Sequence, residues 1–410
     1  MIEIKGKNAD VKVYTDLLED LAREQIETMA NHEITKGTQV RIMSDVHAGK
    51  GSTIGTTIKL SDNFDDWKVS PNIVGVDLNC AIMIYKLADK DIDLEKLDSV
   101  INEFIPDGFN VHDKSQDLEF TEQAVKNLTF SVAGKRLERI NTSLGTLGGG
   151  NHFIELGVDE SDAYWLSVHS GSRGLGVQVA THHQNVAIER LKENQVNLKE
   201  IIERLKAEGR HKEIQETIAR IKSETPAITK EVETLAYLQG EDLKNYLNDM
   251  EIAQKYANAS RSTMLNIIVD KMEFTVVDKF DSVHNFIEHD NFKNGMIRKG
   301  ATSAKKGERL VIPLNMRDGS IIAVGKGNED WNNSAPHGAG RMMSRTQARS
   351  KLNLDDFREQ MKGVHSSSIG ESTIDEAPDA YKPAEVIIEA IKPTADILHI
   401  VKPVYNFKAK

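Results

Sequence analysis

The sequence predicts an α+β fold: one catalytic domain carrying an inserted helical hairpin. Strand-like runs lie both before and after the long helical stretches, which favours one interleaved domain over separable modules. No internal repeat or low-complexity linker divides the chain, although 410 residues would allow two or three domains. Four glycine-rich strings also share one chemistry: Gly75-Val-Asp-Leu-Asn-Cys80, Gly148-Gly-Gly-Asn-His-Phe-Ile-Glu155, His169-Ser-Gly-Ser-Arg-Gly-Leu-Gly176 and Pro336-His-Gly-Ala-Gly-Arg341. Each sets a histidine, thiol or carboxylate in flexible backbone, and glycine lets backbone amides approach phosphate closely. Together they point to a metal-dependent enzyme acting on a phosphate.

Residues 16–31 place Leu17, Leu18, Leu21, Ile26 and Met29 near the spacing of an amphipathic helix. From Gln39 to Lys86 the pattern turns to short β-rich runs, clearest at Val40-Arg-Ile-Met43 and Ile82-Met-Ile-Tyr85. Residues 91–140 read as mixed helix with an exposed Pro106-Asp-Gly turn, and Trp165-Leu-Ser-Val168 as a further strand. In residues 186–235, Ile188, Leu191, Leu198, Ile201, Ile202 and Leu205 form a stripe that Gly209 breaks and Ile214, Ile218 and Ile221 resume. Glu and Lys fill the other faces, so the segment reads as a charged antiparallel hairpin, with Pro226 ending or bending its second arm. It is either a solvated structural insertion or an arm that contacts RNA or a partner. A helix follows from Asp242 to Lys271, then strands at Phe274-Thr-Val-Val277, Leu310-Val-Ile-Pro313 and Ile321-Ile-Ala-Val324. A helix is expected to start near Gly340, and the tail carries Ile397, Leu398, Ile400, Val401 and Val404 before Asn406-Phe-Lys408.

Hydrophobic content of 39% and charged content of 28% suit an ordinary soluble globular protein. There is no apolar run long enough for a membrane span, and the first residues lack a signal peptide's apolar core. The single cysteine excludes an internal disulfide and suits a reducing cytoplasm. A net charge of -11 argues against broad nonspecific RNA binding, but it averages over the surface and leaves room for a local basic rim.

Cys80 lies three residues after Asp77, and a thiolate beside a carboxylate can bridge two cations; a buried small hydrophobe is the alternative reading. His152, His169 and His284 make a better ligand set than a packing set, and imidazole suits manganese, zinc, iron or nickel. Asp45-Val-His47 either orients metal ligands or forms an exposed turn. His337 is either a nucleophile toward phosphorus or a fourth metal ligand, with Arg341 placed to neutralise a phosphate. No P-loop is present; Gly49-Lys-Gly51 lacks its spacing.

From Asp45-Val-His-Ala-Gly-Lys-Gly51 to Lys408, these strings resemble the RtcB-type RNA ligases, manganese- and GTP-dependent enzymes of tRNA splicing and RNA repair. The resemblance implies that family's α+β architecture around a metal cleft. It implies two manganese ions sharing Cys80, one also held by His169 and His284, the other by Asp77 and His152. It places the guanylylated nucleophile on His337 and the GTP contacts on Asn151, Glu155, Ser320, Gly340, Tyr381 and Lys408, with Asn315 where the family carries a serine. The implied reaction joins 2′,3′-cyclic phosphate or 3′-phosphate RNA ends to 5′-hydroxyl ends through a histidine-guanylate. The implied partners are tRNA halves or broken RNA, with the activating protein archease as a further candidate; the hairpin could serve RNA selection or such a partner.

Asn79 and Ala81 replace the family's glycines around the cysteine, and Pro313-Leu-Asn-Met316 replaces Pro-Gly-Ser-Met. Ala335-Pro336 and Ala409 are also unusual. These departures motivate an alternative, a paralogue that guanylylates or caps 3′-phosphate ends with little general ligation. A noncatalytic RNA-binding protein is the third reading, opposed by the complete ligand set.

Overall fold

The computed structural model describes residues 1–193, 198–218 and 229–409, which form an α+β architecture around two large sheets. One sheet is wholly antiparallel, with its seven strands in the order Arg309–Asn315, Gly319–Gly325, Ala395–Lys408, Phe153–Val158, Tyr164–Ser170, Ala81–Leu87 and Val276–Val283. Along Ala81–Leu87, Met83 and Tyr85 enter one apolar cluster while Ile82 and Ile84 enter another, the period of two expected of a strand covered on both faces. The second sheet, six-stranded, runs Ile2–Lys5, Asp10–Val13, Gln39–His47, Ile54–Lys59, Lys293–Lys299, Asn285–Asp290. Its apolar side packs with helices Asp20–Asn31, Arg173–Glu193 and Gly240–Met272 in the largest core.

The register of the seven-stranded sheet builds the site. Ala81 pairs with both Ser170 and Val283, and Phe153 pairs with His169. Because neighbours run antiparallel, the starts of two strands and the ends of two others fall at one edge. Cys80 and His152 immediately precede strands, His169 is next to last in its strand, and His284 immediately follows one. The tail strand Ala395–Lys408 pairs first with Gly319–Gly325 and then crosses to Phe153–Val158, which carries Asn406 and Lys408 to the same edge.

Several elements differ from the sequence expectation. The first helix starts only at Asp20, so Leu17 lies outside it and, with Leu21, is exposed; Ala22, Ile26, Met29 and Ala30 form the buried face. Their small members bring the helix close enough for the Ala30 carbonyl to accept the amides of Asn8 and Ala9. The strand expected from Phe274 begins at Val276, because Glu273 caps the long helix in a left-handed conformation. The helix expected near Gly340 begins at Arg345 behind a Ser344–Gln347 capping box, leaving 337–341 as a loop.

The first arm of the expected hairpin is the far end of helix Arg173–Glu193, whose near half buries Leu175, Val179 and Ala180. A second helix spans Leu198–Ala207 and ends at Gly209, whose φ of 72° lies in the left-handed region. Ile221 and Pro226 lie outside the described residues. Among the described residues, no helix is long and apolar enough to cross a membrane.

Candidate active site

Two groups of donor atoms share the Cys80 sulfur. Cys80, His169 and His284 form one, and Asp77, Cys80 and His152 the other, with the donor atoms of each group within 4.8 Å of one another. Cys80 Sγ lies 3.2 Å from His169 Nε2 and 3.6 Å from His152 Nε2; His169 Nε2 lies 3.2 Å from His284 Nε2, and His152 Nε2 3.0 Å from Asp77 Oδ2. The rings are aimed from behind. His152 Nδ1 donates to the Leu147 carbonyl at 2.8 Å and His169 Nδ1 to that of Asn151 at 3.2 Å. A carbonyl only accepts, so both rings carry their proton on Nδ1 and turn the Nε2 lone pair toward the cluster. At Gly148 (φ 87°) a Cβ would strike the Arg173 guanidinium and crowd His152, so glycine is required where this loop wraps the ring.

Burial, reinforced by the neighbouring imidazoles, holds His169 and His284 well below the usual histidine range, so both are neutral ligands. Burial and the charge of Asp77 push the Cys80 thiol well up. Burial alone would raise Asp77; His152 Nε2, when it carries a proton, donates to the carboxylate and outweighs burial, bringing it down to about 2, and a cation held between them would take that proton's place. Ser172 N–H donates to Asp77 Oδ1 at 3.0 Å. One sulfur, three imidazoles and a carboxylate, with acceptor nitrogens converging in a buried space, fit first-row divalent cations.

Beside the cluster, the His337 ring centroid lies 4.8 Å from that of His284. His337 Nδ1 donates to Asp45 Oδ2 at 2.7 Å, and its backbone amide to the same oxygen at 3.1 Å. Asp45 is fully buried, so it is no exposed turn residue, and the ring it orients is His337 rather than one of the clustered imidazoles. The loop after His337 presses onto Asp45: a Cβ on Gly340 (φ 73°) would lie 2.6 Å from the Asp45 carbonyl oxygen.

A cleft of about 310 Å³ joins these groups, lined by Cys80, Asn151, Glu155, His169, His337, Gly340, Tyr381 and Lys408 among others. Glu155 is buried, accepting from Asn406 Nδ2 at 2.8 Å and Ser320 Oγ at 3.3 Å; burial raises its carboxyl to about 7 despite both donors and Lys408. Ser320 thus stands behind Glu155 rather than on the cleft wall. Lys408 Nζ meets Glu376 Oε2 at 2.9 Å and the Asn151 carbonyl at 3.3 Å, and Tyr381 donates to Glu376 at 2.6 Å.

Two polar side chains are more occupied than the sequence suggests. Asn315 lines the cleft, but its Oδ1 accepts the amides of Arg317 and Asp318, and its Nδ2 donates to Asp318 at 2.7 Å. Arg341, expected to meet a phosphate, spends its donors on the Met343 and Asp375 carbonyls, Glu376 and the Tyr381 hydroxyl. Its neighbour Arg345 reaches the cleft while pairing with Asp375 and Glu376. Sequence reasoning missed Glu376 and Arg345, which carry no distinguishing motif, and left Asp45 undecided.

The family model described as tRNA-splicing ligase RtcB matches residues 25–134 and 108–409. The chain is 30% identical to the RNA-splicing ligase RtcB of Escherichia coli K12 over 438 aligned residues, covering 98% of each chain. It is 27% identical to the tRNA-splicing ligase RtcB of Archaeoglobus fulgidus, over 92% of this chain and 88% of that one. It is also similar to the Aeropyrum pernix protein of the same description, at 25% identity.

Proposed function

Because the chain belongs to the RtcB family, we propose that it is an RNA ligase that joins 2′,3′-cyclic phosphate or 3′-phosphate ends to 5′-hydroxyl ends through a guanylate carried on His337. The observation that carries this reading is the Asp45–His337 pair beside the shared-sulfur cluster. With its proton held on Nδ1 by Asp45, His337 offers a free Nε2 lone pair, the requirement for a nitrogen nucleophile. Two manganese ions would be held by Cys80 with His169 and His284, and by Cys80 with Asp77 and His152; bound there, they would withdraw charge from phosphoryl oxygens.

In this reading Nε2 of His337 attacks the α-phosphorus of GTP, and the bond to pyrophosphate breaks. Asp45 offsets the positive charge that the ring gains. Glu155 supplies acceptors suited to the N–H donors of guanine, and Lys408 a cation beside the cleft. Water first opens a cyclic phosphate, breaking its bond to the 2′ oxygen and leaving a 3′-phosphate, whose oxygen then takes the guanylate as the phosphorus–nitrogen bond to His337 breaks. The 5′-hydroxyl of the second strand finally attacks the activated phosphate and GMP leaves. A cytoplasmic location and activation by an archease-type partner belong to the same reading.

The test is incubation with manganese and α-phosphate-labelled GTP, followed by an assay of joining between a 2′,3′-cyclic phosphate RNA and a 5′-hydroxyl RNA. Acid-labile label that is absent from His337→Ala, together with a joined product, is expected. Label without joining would favour the second reading, a paralogue that activates or caps 3′-phosphate ends. The Pro313–Met316 turn motivates that alternative, since the Asn315 side chain is spent within the turn. RNA binding without label would leave only a noncatalytic role.

A further inference from the structure

Next to the cleft lies a second, larger depression of about 670 Å³, lined by Phe109, Arg139, Arg173, Arg345 and Arg349. Arg345 lines both, so the two adjoin at its side chain. Gly149 and Gly150 line it without side chains between Phe109 and the His152 loop. In a chain of net charge -11, four guanidinium groups around one groove are a local reversal of sign. The two carboxylates there are buried, Asp375 paired with Arg345 and Arg349 and Glu376 with Arg345 and Lys408; Arg349 remains exposed despite its pairing, and Arg139 faces solvent.

Phe109 is 92% exposed, the most exposed large apolar side chain among the described residues. Its backbone is nonetheless tied down. Leu147 N–H donates to the Pro106 carbonyl at 2.9 Å and Gly108 N–H to the Gly148 carbonyl at 2.8 Å. Arg173 donates to the Gly108 carbonyl at 3.2 Å and Arg139 to that of Phe109 at 2.9 Å. An aromatic face left in water on a fixed loop contributes no burial to the fold, and its placement calls for a flat partner. Flat faces joined by regularly spaced anions describe single-stranded nucleic acid, which aromatic side chains hold by stacking and arginines by phosphate contact.

We infer that this groove seats the single-stranded end of the RNA, with Phe109 stacking a base and Arg139, Arg173 and Arg349 contacting the phosphates, so that the strand runs past Arg345 into the metal cleft. The occupant rests on the ligase reading; the groove is tested separately from it.

The experiment measures fluorescence anisotropy of a labelled, unstructured RNA of roughly 10 nucleotides with full-length protein. Phe109→Ala is expected to weaken binding roughly five- to hundred-fold, and Phe109→Trp to restore it. Arg349→Ala should reduce the slope of log K against log salt by about 0.7. Phe109→Ala binding within twofold of wild type would overturn the proposal, as would equal binding by Phe109→Leu, which keeps apolar bulk without a stacking face. The exposed ring makes loss of folding an inadequate explanation, and a thermal melt of each variant checks it. Label uptake from GTP by the wild-type protein is measured on the same preparation. Label with Phe109-independent RNA binding sinks the groove alone; Phe109-dependent binding without label sinks the ligase reading and leaves the groove standing.

Discussion

Asp45 and His337 are separated by 292 positions in the chain and joined by a 2.7 Å hydrogen bond from the ring to a carboxylate with no exposed surface. The bond fixes which nitrogen of His337 is free. Asp45→Asn is therefore expected to slow label uptake from GTP by about 10²- to 10⁴-fold while metal content stays unchanged. Wild-type uptake in that variant, by single-turnover labelling, would remove Asp45 from the reaction.

The shared sulfur predicts unequal losses among the donor variants. His284→Ala removes a donor from one group only, whereas Cys80→Ala removes one from both. Elemental analysis after manganese loading should find one ion lost from the first variant and both loosened in the second. Equal losses would mean the two groups are not separate sites.

Glu155 sets a dependence of stability on pH. Its carboxyl titrates at about 7 in the folded protein, chiefly through burial, against the ordinary 4.5 of an unfolded chain. Between these values the folded state holds a proton that the unfolded state has lost, so stability falls as pH rises and the loss is complete above about 7. Glu155→Gln removes this penalty. Its Tm relative to wild type should climb between about pH 5 and about pH 8, reflecting on the order of 2–3 kcal/mol. A pH-independent difference would contradict the assignment.

Asn315 closes the turn between strands Arg309–Asn315 and Gly319–Gly325 with three side-chain hydrogen bonds. Asn315→Ala should cost about 1–2 kcal/mol in urea unfolding, with the denaturant slope unchanged. No loss of stability would show that the turn holds without it and free its carboxamide for the nucleotide.

Much of this site was legible because metal chemistry restricts residue type: histidine, cysteine and aspartate in glycine-rich strings stand out in any chain. The grouping around Cys80, with Asp77 and His152 on one side and His169 and His284 on the other, was an expectation from the family resemblance; the fold brings these five side chains together in two groups that share the sulfur. What sequence could not supply was which polar atoms are already occupied. Arg341 and Asn315 have suitable chemistry, but their partners come from Glu376, Asp375 and Asp318 in the folded chain. Asp45 was ambiguous for the same reason, its partner lying in a strand-end loop far along the chain. Element boundaries failed where a local device decided them, as with the late helix start at Asp20 or the cap at Glu273 that delays the next strand to Val276.

The register that gathers Cys80, His152, His169 and His284 at one sheet edge also bears on how the protein matures. Apart from Asp77 and Cys80, no two of these donors are near neighbours in sequence, and His284 arrives only with the strand that pairs on the far side of Ala81–Leu87. A nascent chain stopped before that strand has no second coordination group to offer. A cation bound by Asp77, Cys80 and His152 could arrive earlier, whereas one bound by Cys80, His169 and His284 would certify that the sheet had closed in its correct order.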